Sequence, residues 1–141
     1  MYDIGVFSLK TEVELSDLIG FVKLPIKDVK VESKAVVSGW GTMLNPYSPV
    51  SNVLQKLTLT IISYEKCQSM MPSFARVHKS HICTFVKKGK GSCSGDSGGP
   101  LVQDGFVIGV VSGGIRCAKG YPDVYTNVYK YLSYVKKAAD L

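Results

Sequence analysis

Short apolar segments alternate with turn-forming residues along most of the chain. Between residues 57 and 62, leucine and isoleucine alternate with threonine, and this period of two is typical of a β-strand with one buried face. Further apolar segments predict strands at residues 2–9, 34–40, 81–86, 100–103, 106–112 and 124–127. Residues 10–33 are predicted to form an extended, charged connector, and residues 41–52, with two prolines and two asparagines, a loop.

Near the end of the chain the period changes to that of a helix. Val128, Leu132, Val135 and Ala139 recur at a spacing that gives a helix one apolar face, and the nearby lysines at 130, 136 and 137 lie outside that face. A second, shorter helix is predicted at residues 64–70. These elements together predict an all-β fold, in which an antiparallel β-barrel is closed by a C-terminal helix.

Composition and charge narrow the function classes. Hydrophobic residues make up 45% of the chain, which argues against disorder, and no apolar run approaches the roughly 18 residues of a membrane span. The formal net charge is +6, but the lysines are dispersed. The one cluster, formed by Lys87, Lys88 and Lys90, lacks interleaved aromatic residues and is interpreted as solvated surface. We therefore expect neither a nucleic-acid partner nor a membrane.

Four cysteines are consistent with two disulfides, for which three connectivities are possible. They contain no C-x-x-C pair, which argues against a zinc site. Paired cysteines instead favour an oxidising, extracellular compartment. The residues after Met1 show no basic region, apolar stretch or cleavage site of an export signal. We expect that the front of the protein is missing from this sequence.

Residues 95–100 read Gly-Asp-Ser-Gly-Gly-Pro and carry the strongest chemical signal. A given position matches this hexapeptide by chance about once in ten million. A serine nucleophile must be exposed on a tight turn, and flanking glycines allow the backbone N–H groups to approach a developing oxyanion. A phosphate-binding loop is excluded, because neither of the common glycine-rich phosphate motifs is present.

This hexapeptide resembles the active-site signature of trypsin- and chymotrypsin-like serine proteases (peptidase S1), the type case of the Ser-His-Asp triad. The resemblance implies that Ser97 is the nucleophile and that the N–H groups of Gly95 and Ser97 form the oxyanion hole. It also implies that Asp96 pairs with a newly freed N-terminal amine. Residues 2–9 resemble the family segment that carries the triad aspartate, so Asp3 is implied to orient the histidine.

The family pattern also covers the cysteines and the start of the barrel. Residues 37–42 resemble the family strand that enters the second of two barrels. In the family pattern Cys67 pairs with Cys83, and Cys93 with Cys117. A third family bridge is absent, because its positions are occupied here by an alanine and a glutamine.

A specificity pocket is implied by two further segments. Residues 112–114 resemble the strand beside the substrate backbone, and residues 120–126 the segment behind the pocket. The implied substrate-binding residues are Gly91, Ser92, Ser112, Gly113, Gly114 and Asp123.

Two of these residues depart from the trypsin-like pattern. Gly91 stands where trypsin-like members have aspartate, whereas Asp123 stands where most members have glycine. This combination resembles arthropod chymotrypsin-like and collagenolytic enzymes. It implies an apolar or aromatic residue before the scissile bond (P1), or a broad preference in which Asp123 also accepts a basic side chain.

The family's general base is missing. It lies in a Thr-Ala-Ala-His-Cys segment upstream of the position of Asp3, and nothing here matches that segment. His78 and His81 are interpreted as surface or structural residues, and neither as a substitute base nor as a metal ligand. The chain is therefore interpreted as the C-terminal part of the protease domain. Residues 1–33 would end the first barrel and form the connector, 34–127 the second six-stranded barrel, and 128–141 the C-terminal helix.

The resemblance implies a serine endopeptidase that acts by acyl transfer and requires no metal or cofactor. Polypeptide substrates and protein protease inhibitors are the implied partners, and a secreted monomer is the implied state. Without its histidine, the isolated chain is expected to be inactive. Two alternatives remain: a noncatalytic, secreted homologue that acts as a binding protein, and a fragment with no function of its own.

Overall fold

The computed structural model of the chain describes residues 2–43, 45, 47–115 and 117–141. In this part of the chain, six antiparallel strands close into one barrel, in the spatial order β1-β2-β3-β6-β5-β4. The predicted all-β barrel is confirmed. The strands are β1 (Lys34–Gly39), β2 (Gln55–Ile62), β3 (His81–Thr84), β4 (Pro100–Gln103), β5 (Phe106–Gly114) and β6 (Asp123–Asn127).

The alternation in β2 decides which side chains fill the barrel. Leu59 and Ile61 are fully buried, whereas Thr58 and Thr60 are not. Side chains from the other strands meet them inside, so the interior is a packed core rather than a channel. The buried members of this core are Ala35, Val37, Leu59, Ile61, Ile82, Leu101, Ile108, Val111 and Tyr125.

A second apolar cluster forms around helix α1 (Tyr64–Met70). The Ser63 hydroxyl accepts a hydrogen bond from the backbone N–H of Lys66 and thereby caps the first turn. Cys67, on α1, forms a disulfide with Cys83 on β3, the pairing that the resemblance implies. This bond closes a loop with a sequence separation of 16 residues. A loop of that length contributes about 3 kcal/mol in the chain-entropy description.

The predicted strand at residues 2–9 is wrong. This segment has no strand hydrogen bonding and is mostly exposed. The reason is that the barrel is closed, so no strand edge is left for the segment to pair with. Residues 10–33 run as an irregular connector with two isolated β-bridges, as expected of an extended segment.

The predicted C-terminal helix at residues 128–141 is shorter and less regular in the structure. A 3-10 turn (Tyr129–Tyr131) leads into α2 (Leu132–Ala138). Val128 is buried, but the other members of the predicted apolar face are only half-buried. Among the described residues, no helix is long and apolar enough to cross a membrane.

Asp28 ties the connector to the C-terminal end of the barrel. Its carboxylate accepts a hydrogen bond from the Asn127 side chain at 2.9 Å and forms an ion pair with Lys130 at 2.6 Å. Burial opposes ionisation of Asp28, but these two partners and the backbone N–H of Val29, which also donates to the carboxylate, hold the pKa of the carboxyl below its ordinary value.

We expect Asp28→Asn to lower the free energy of unfolding by about 1 kcal/mol at neutral pH, because a partly exposed ion pair is lost. The pKa of Asp28 is lower in the folded state than in the unfolded state. The contribution is therefore present above the unfolded pKa of about 3.9 and is lost as the pH falls through the folded value. Urea unfolding at neutral and strongly acidic pH measures this, with Asp17→Asn on the exposed connector as the control. An equal loss at both pH values would contradict the role of the ion pair.

Candidate active site

Ser97 lies in a series of tight turns between the buried Cys93 and the start of β4. The N–H of Gly98 donates to the carbonyl of Val111 in β5 at 2.9 Å. The N–H of Gly99 donates to the carbonyl of Asp96, also at 2.9 Å. These bonds fix the loop to the barrel while the Ser97 side chain stays exposed.

The backbone amides of Gly95 and Ser97 lie on the same loop as the Ser97 hydroxyl. Within the described part of the chain, neither the N–H of Gly95 nor that of Ser97 makes a backbone hydrogen bond. Gly95 has a φ of 97°, a conformation that glycine adopts readily and other residues adopt with strain. Both N–H groups can therefore serve an incoming anionic oxygen.

The Asp96 carboxylate is bound by backbone amides. Gly41 donates to Oδ1 at 2.9 Å, and Cys93 donates to Oδ2 at 2.9 Å. A Cβ atom on Gly39 or Gly41 would collide with this carboxylate, so both glycines make the room that it occupies. Asp96 also lines a cavity of about 260 Å³, and no cationic side chain of the described residues forms an ion pair with it.

Asp3 is anchored although its segment is not a strand. The Ser112 hydroxyl donates to Asp3 Oδ2 at 2.6 Å, and the Thr126 hydroxyl donates to the Asp3 carbonyl at 2.7 Å. Ser112 and Thr126 belong to the neighbouring strands β5 and β6. These side chains therefore hold the carboxylate of Asp3 against the barrel.

Asp123 is a buried carboxylate at the start of β6. Both the backbone N–H and the hydroxyl of Ser92 donate to its Oδ1, at 3.1 and 2.8 Å. A Cβ atom on Gly91 would stand 2.5 Å from Oδ2, so the glycine makes room for the carboxylate. Burial raises the pKa of Asp123 to about 6, although the Ser92 hydrogen bonds lower it and the nearby Asp96 charge adds to the rise.

The end of β5 forms an exposed edge next to Asp123. Gly113 and Gly114 are exposed, and Gly114 is the register partner of Asp123. The register of the ladder shifts between Val111 and Gly113, which leaves Ser112 at an irregularity of the strand. The six residues implied by the sequence to bind substrate thus lie on the loop that precedes Ser97, at the end of β5 and at the start of β6.

The second disulfide joins the loop before β4, which carries Cys93, to the loop between β5 and β6, which carries Cys117. Cys93 is bonded to Cys117, the pairing that the resemblance implies, with their Cα atoms 4.3 Å apart. The N–H of Cys117 also donates to the carbonyl of Ser92 at 3.2 Å. The segment from Gly91 to the Ser97 loop is therefore tied to the wall beyond β5.

The two histidines lie in and just before β3, where the charge of Asp3 acts on His81. His81 is in β3 and pairs in register with Thr126, and its Nδ1 accepts a hydrogen bond from the N–H of His78 at 3.2 Å. Burial lowers the pKa of His81, and the neighbouring His78 lowers it further. Among the described residues, no group of three or more His, Cys, Asp or Glu side chains could hold a metal ion.

Sequence reasoning missed three residues that shape this site. Gly39 and Gly41 surround the Asp96 carboxylate, and Thr126 holds the main chain of Asp3. The two glycines lie on either side of Trp40 at the end of β1. Two glycines so close together at a strand end indicate that another group approaches the backbone there, and this pattern could have been recognised in the sequence. Thr126 gave no signal, because its partner is 123 positions away in the chain.

Comparisons with known proteins identify similar chains. A family model described as "Trypsin" matches residues 1–135. Chymotrypsin-2 of Vespa crabro is 40% identical over 136 residues, which cover 96% of this chain and 61% of that protein. Trypsin 5G1 of Aedes aegypti is 42% identical over 144 residues, which cover 99% of this chain and 54% of that protein.

A solved structure is similar as well. It is described as neuropsin, a serine protease expressed in the limbic system of mouse brain, and matches with a TM-score of 0.85 at 34% identity. The match covers 93% of this chain and 59% of that one. The chain thus spans between 54% and 61% of the length of these three relatives.

We expect Gly41→Ala to lower the free energy of unfolding by about 1 to 3 kcal/mol, because the added methyl group overlaps the Asp96 carboxylate and forces the loop to move. Denaturant unfolding measures the change. Gly5→Ala is the matched control, since a Cβ atom there meets nothing within 4 Å. Equal stability of the two variants would contradict this prediction and would show that the loop around Asp96 moves without a cost in free energy.

Proposed function

Because the chain belongs to the trypsin family of serine proteases, we propose that it is the C-terminal part of a secreted, monomeric serine endopeptidase. The observation that carries this proposal is the grouping around Ser97. The exposed Ser97 side chain lies beside two backbone N–H groups that make no backbone hydrogen bond within the described residues, on a loop fixed to the barrel. Its substrates would be polypeptides and its inhibitors would be proteins. Residues 1–33 would end the first barrel, residues 34–127 would form the second barrel, and residues 128–141 would form the C-terminal helix.

The proposed reaction is acyl transfer. A histidine from outside this chain removes the proton from Ser97 Oγ, which attacks the carbonyl carbon of the scissile peptide. The N–H groups of Gly95 and Ser97 stabilise the oxyanion, and loss of one such donor costs about 2.7 to 4 kcal/mol of activation free energy. The histidine then gives its proton to the leaving amine, and water releases the acyl group by the same path in reverse. Asp3 orients the histidine.

Asp96 is proposed to bind the amine of a newly formed N-terminus. Its carboxylate already accepts two backbone hydrogen bonds and borders an open cavity. A carboxylate so placed is best stabilised by a cation that also donates hydrogen bonds. Because the same loop carries Gly95 and Ser97, amine binding at Asp96 would order the oxyanion-binding amides.

The second candidate is a noncatalytic binding protein with the same fold. Gly113 favours this candidate. The position is exposed and a Cβ atom there would meet nothing within 4 Å, so the glycine leaves a bound substrate strand without an apolar side chain to pack against. The intact grouping of Ser97, Gly95, Asp96 and Asp3 favours the enzyme. The sequence upstream of this chain distinguishes the two, since an enzyme needs the histidine segment.

We expect the longer protein that joins this chain to a histidine-bearing segment to react with a serine-directed phosphonate at Ser97. The 141-residue chain alone should react at least about 10⁴-fold more slowly, because it lacks the general base. Ser97→Ala should abolish labelling, whereas Ser94→Ala on the same loop should not. A longer protein with the histidine intact but no labelling would support the binding-protein candidate instead.

We expect the P1 preference of the longer protein to depend on pH. Below pH 6 the Asp123 carboxyl is protonated and the pocket is neutral, so apolar P1 residues are favoured. Above pH 6 the carboxylate is ionised and attracts a basic side chain. The ratio of kcat/KM for lysine over phenylalanine at P1 should rise about tenfold through this range, equivalent to about 1.4 kcal/mol. Taking the ratio cancels titration of the general base.

Asp123→Asn should remove this rise, and Asp104→Asn, on the exposed turn before β5, should keep it. A ratio that does not change with pH would rule out Asp123 as the titrating group. Strict cleavage after arginine and lysine at every pH would contradict the apolar or aromatic preference.

A further inference from the structure

Two carboxylates hold consecutive backbone amides of the loop before β4. The N–H of Ser92 donates to Asp123 Oδ1 at 3.1 Å. The N–H of the next residue, Cys93, donates to Asp96 Oδ2 at 2.9 Å. Neighbouring Cα atoms are about 3.8 Å apart, so both carboxylates are bound to one short stretch of backbone. Burial raises the pKa of Asp123, and the negative charge of Asp96 raises it further. The ionisation of Asp123 therefore depends on the charge that Asp96 carries.

Few other groups stabilise the charge of Asp123. Both hydrogen bonds from Ser92 go to Oδ1, and Oδ2 accepts none from the described residues. The buried hydroxyl groups of Thr84, its register partner in β3, and of Tyr125, on which its charge acts, donate no hydrogen bond to it. Burial raises the pKa of Tyr125, so this phenol stays neutral while Asp123 titrates. Within the described part of the chain, no cationic side chain forms an ion pair with Asp123.

The charge of Asp96 can be offset from outside the pocket that Asp123 lines. Asp96 is only half-buried and borders a cavity of about 260 Å³, so a cation can approach it there. The N-terminal amine proposed above would be such a cation. Once the charge of Asp96 is offset, the repulsion that opposes ionisation of Asp123 is weaker, and Asp123 loses its proton at a lower pH.

We propose that Asp96 is a second determinant of the P1 preference and acts through the charge of Asp123. With a cation at Asp96, the P1 pocket stays anionic in weakly acidic solution and admits a lysine or arginine side chain. Without one, the pocket is neutral there and favours an apolar side chain. Asp96 does not touch the substrate and is thus a positioning residue. The inference rests on the proposed role of Asp123 in the P1 pocket and adds the group that controls its charge.

The deciding experiment titrates the side-chain carboxyl carbon of Asp123 by ¹³C NMR in the full 141-residue chain. We expect Asp96→Asn to raise the acid dissociation constant of Asp123 about three- to tenfold, because a neighbouring negative charge is lost. Asp104→Asn removes a carboxylate from the exposed turn before β5 and should leave the constant unchanged. Loss of the Ser92 hydrogen bonds in a disturbed loop would lower the constant instead, because these bonds lower the pKa of Asp123.

A second variant leaves the Asp96 carboxylate in place. Met43 is exposed and lines the same cavity, so Met43→Lys adds an ammonium group near Asp96. We expect a rise of the same size as in Asp96→Asn, and Met43→Gln is the uncharged control of similar length. Met43→Lys added to Asp96→Asn should raise the constant little further, because both changes act on one charge.

These titrations can overturn the inference in two ways. An unchanged or smaller dissociation constant in Asp96→Asn would show that the charge of Asp96 does not control Asp123. A rise in Met43→Lys that persists in full in the Asp96→Asn background would show that the added ammonium group acts on Asp123 directly, and the role of Asp96 would be wrong.

The consequence for substrates is measured in the longer protein, in which an amine is proposed to bind Asp96. The pKa of about 6 for Asp123 belongs to the chain without a cation there. The lysine-to-phenylalanine ratio of kcat/KM should therefore rise at a pH about 0.5 to 1 below the midpoint measured in the 141-residue chain. A rise centred on that midpoint would overturn the inference and leave the protease proposal intact. Failure of phosphonate labelling at Ser97 would overturn the proposed function, whereas the NMR titration requires no catalysis.

Discussion

The Asp96 carboxylate binds the backbone amides of Gly41 and Cys93, and this interaction connects the Ser97 loop to the end of β1. The neighbouring backbone amide, that of Ser92, donates a hydrogen bond to a second carboxylate, that of Asp123. Two acidic side chains therefore hold consecutive peptide groups of one short segment. The negative charge of Asp96 also adds to the rise in the pKa of Asp123 that burial causes.

The closed barrel provides the rigid support that this arrangement needs. Because each of the six strands in the described part pairs on both sides, the strand ends from which the loops extend are fixed relative to one another. The Cys93–Cys117 disulfide adds a covalent tie between the Ser97 loop and the wall near Asp123. Catalytic geometry tolerates displacements of only a fraction of an ångström, so such bracing is a physical requirement for the proposed chemistry.

Asp3 illustrates a different way of positioning a functional group. Its segment forms no strand, yet hydroxyl groups from β5 and β6 hold both its carboxylate and its carbonyl. The barrel thus binds this segment through side-chain hydroxyl groups, although the segment forms no backbone hydrogen bonds of a β-sheet. By contrast, Asp28 fixes the connector through a partly exposed ion pair, which contributes modestly and is sensitive to pH.

Local sequence determined the strands, the short helix and the exposed turn at Ser97, because the period of apolar residues and the glycine spacing are local properties. The strand expected at residues 2–9 failed because pairing depends on a partner edge, which a closed barrel does not offer. Only the tertiary structure decided that Gly39 and Gly41 surround Asp96, that Thr126 holds Asp3, and that burial raises the pKa of Asp123. These features arise between residues distant in the chain, where burial and distance, rather than sequence spacing, determine the interaction.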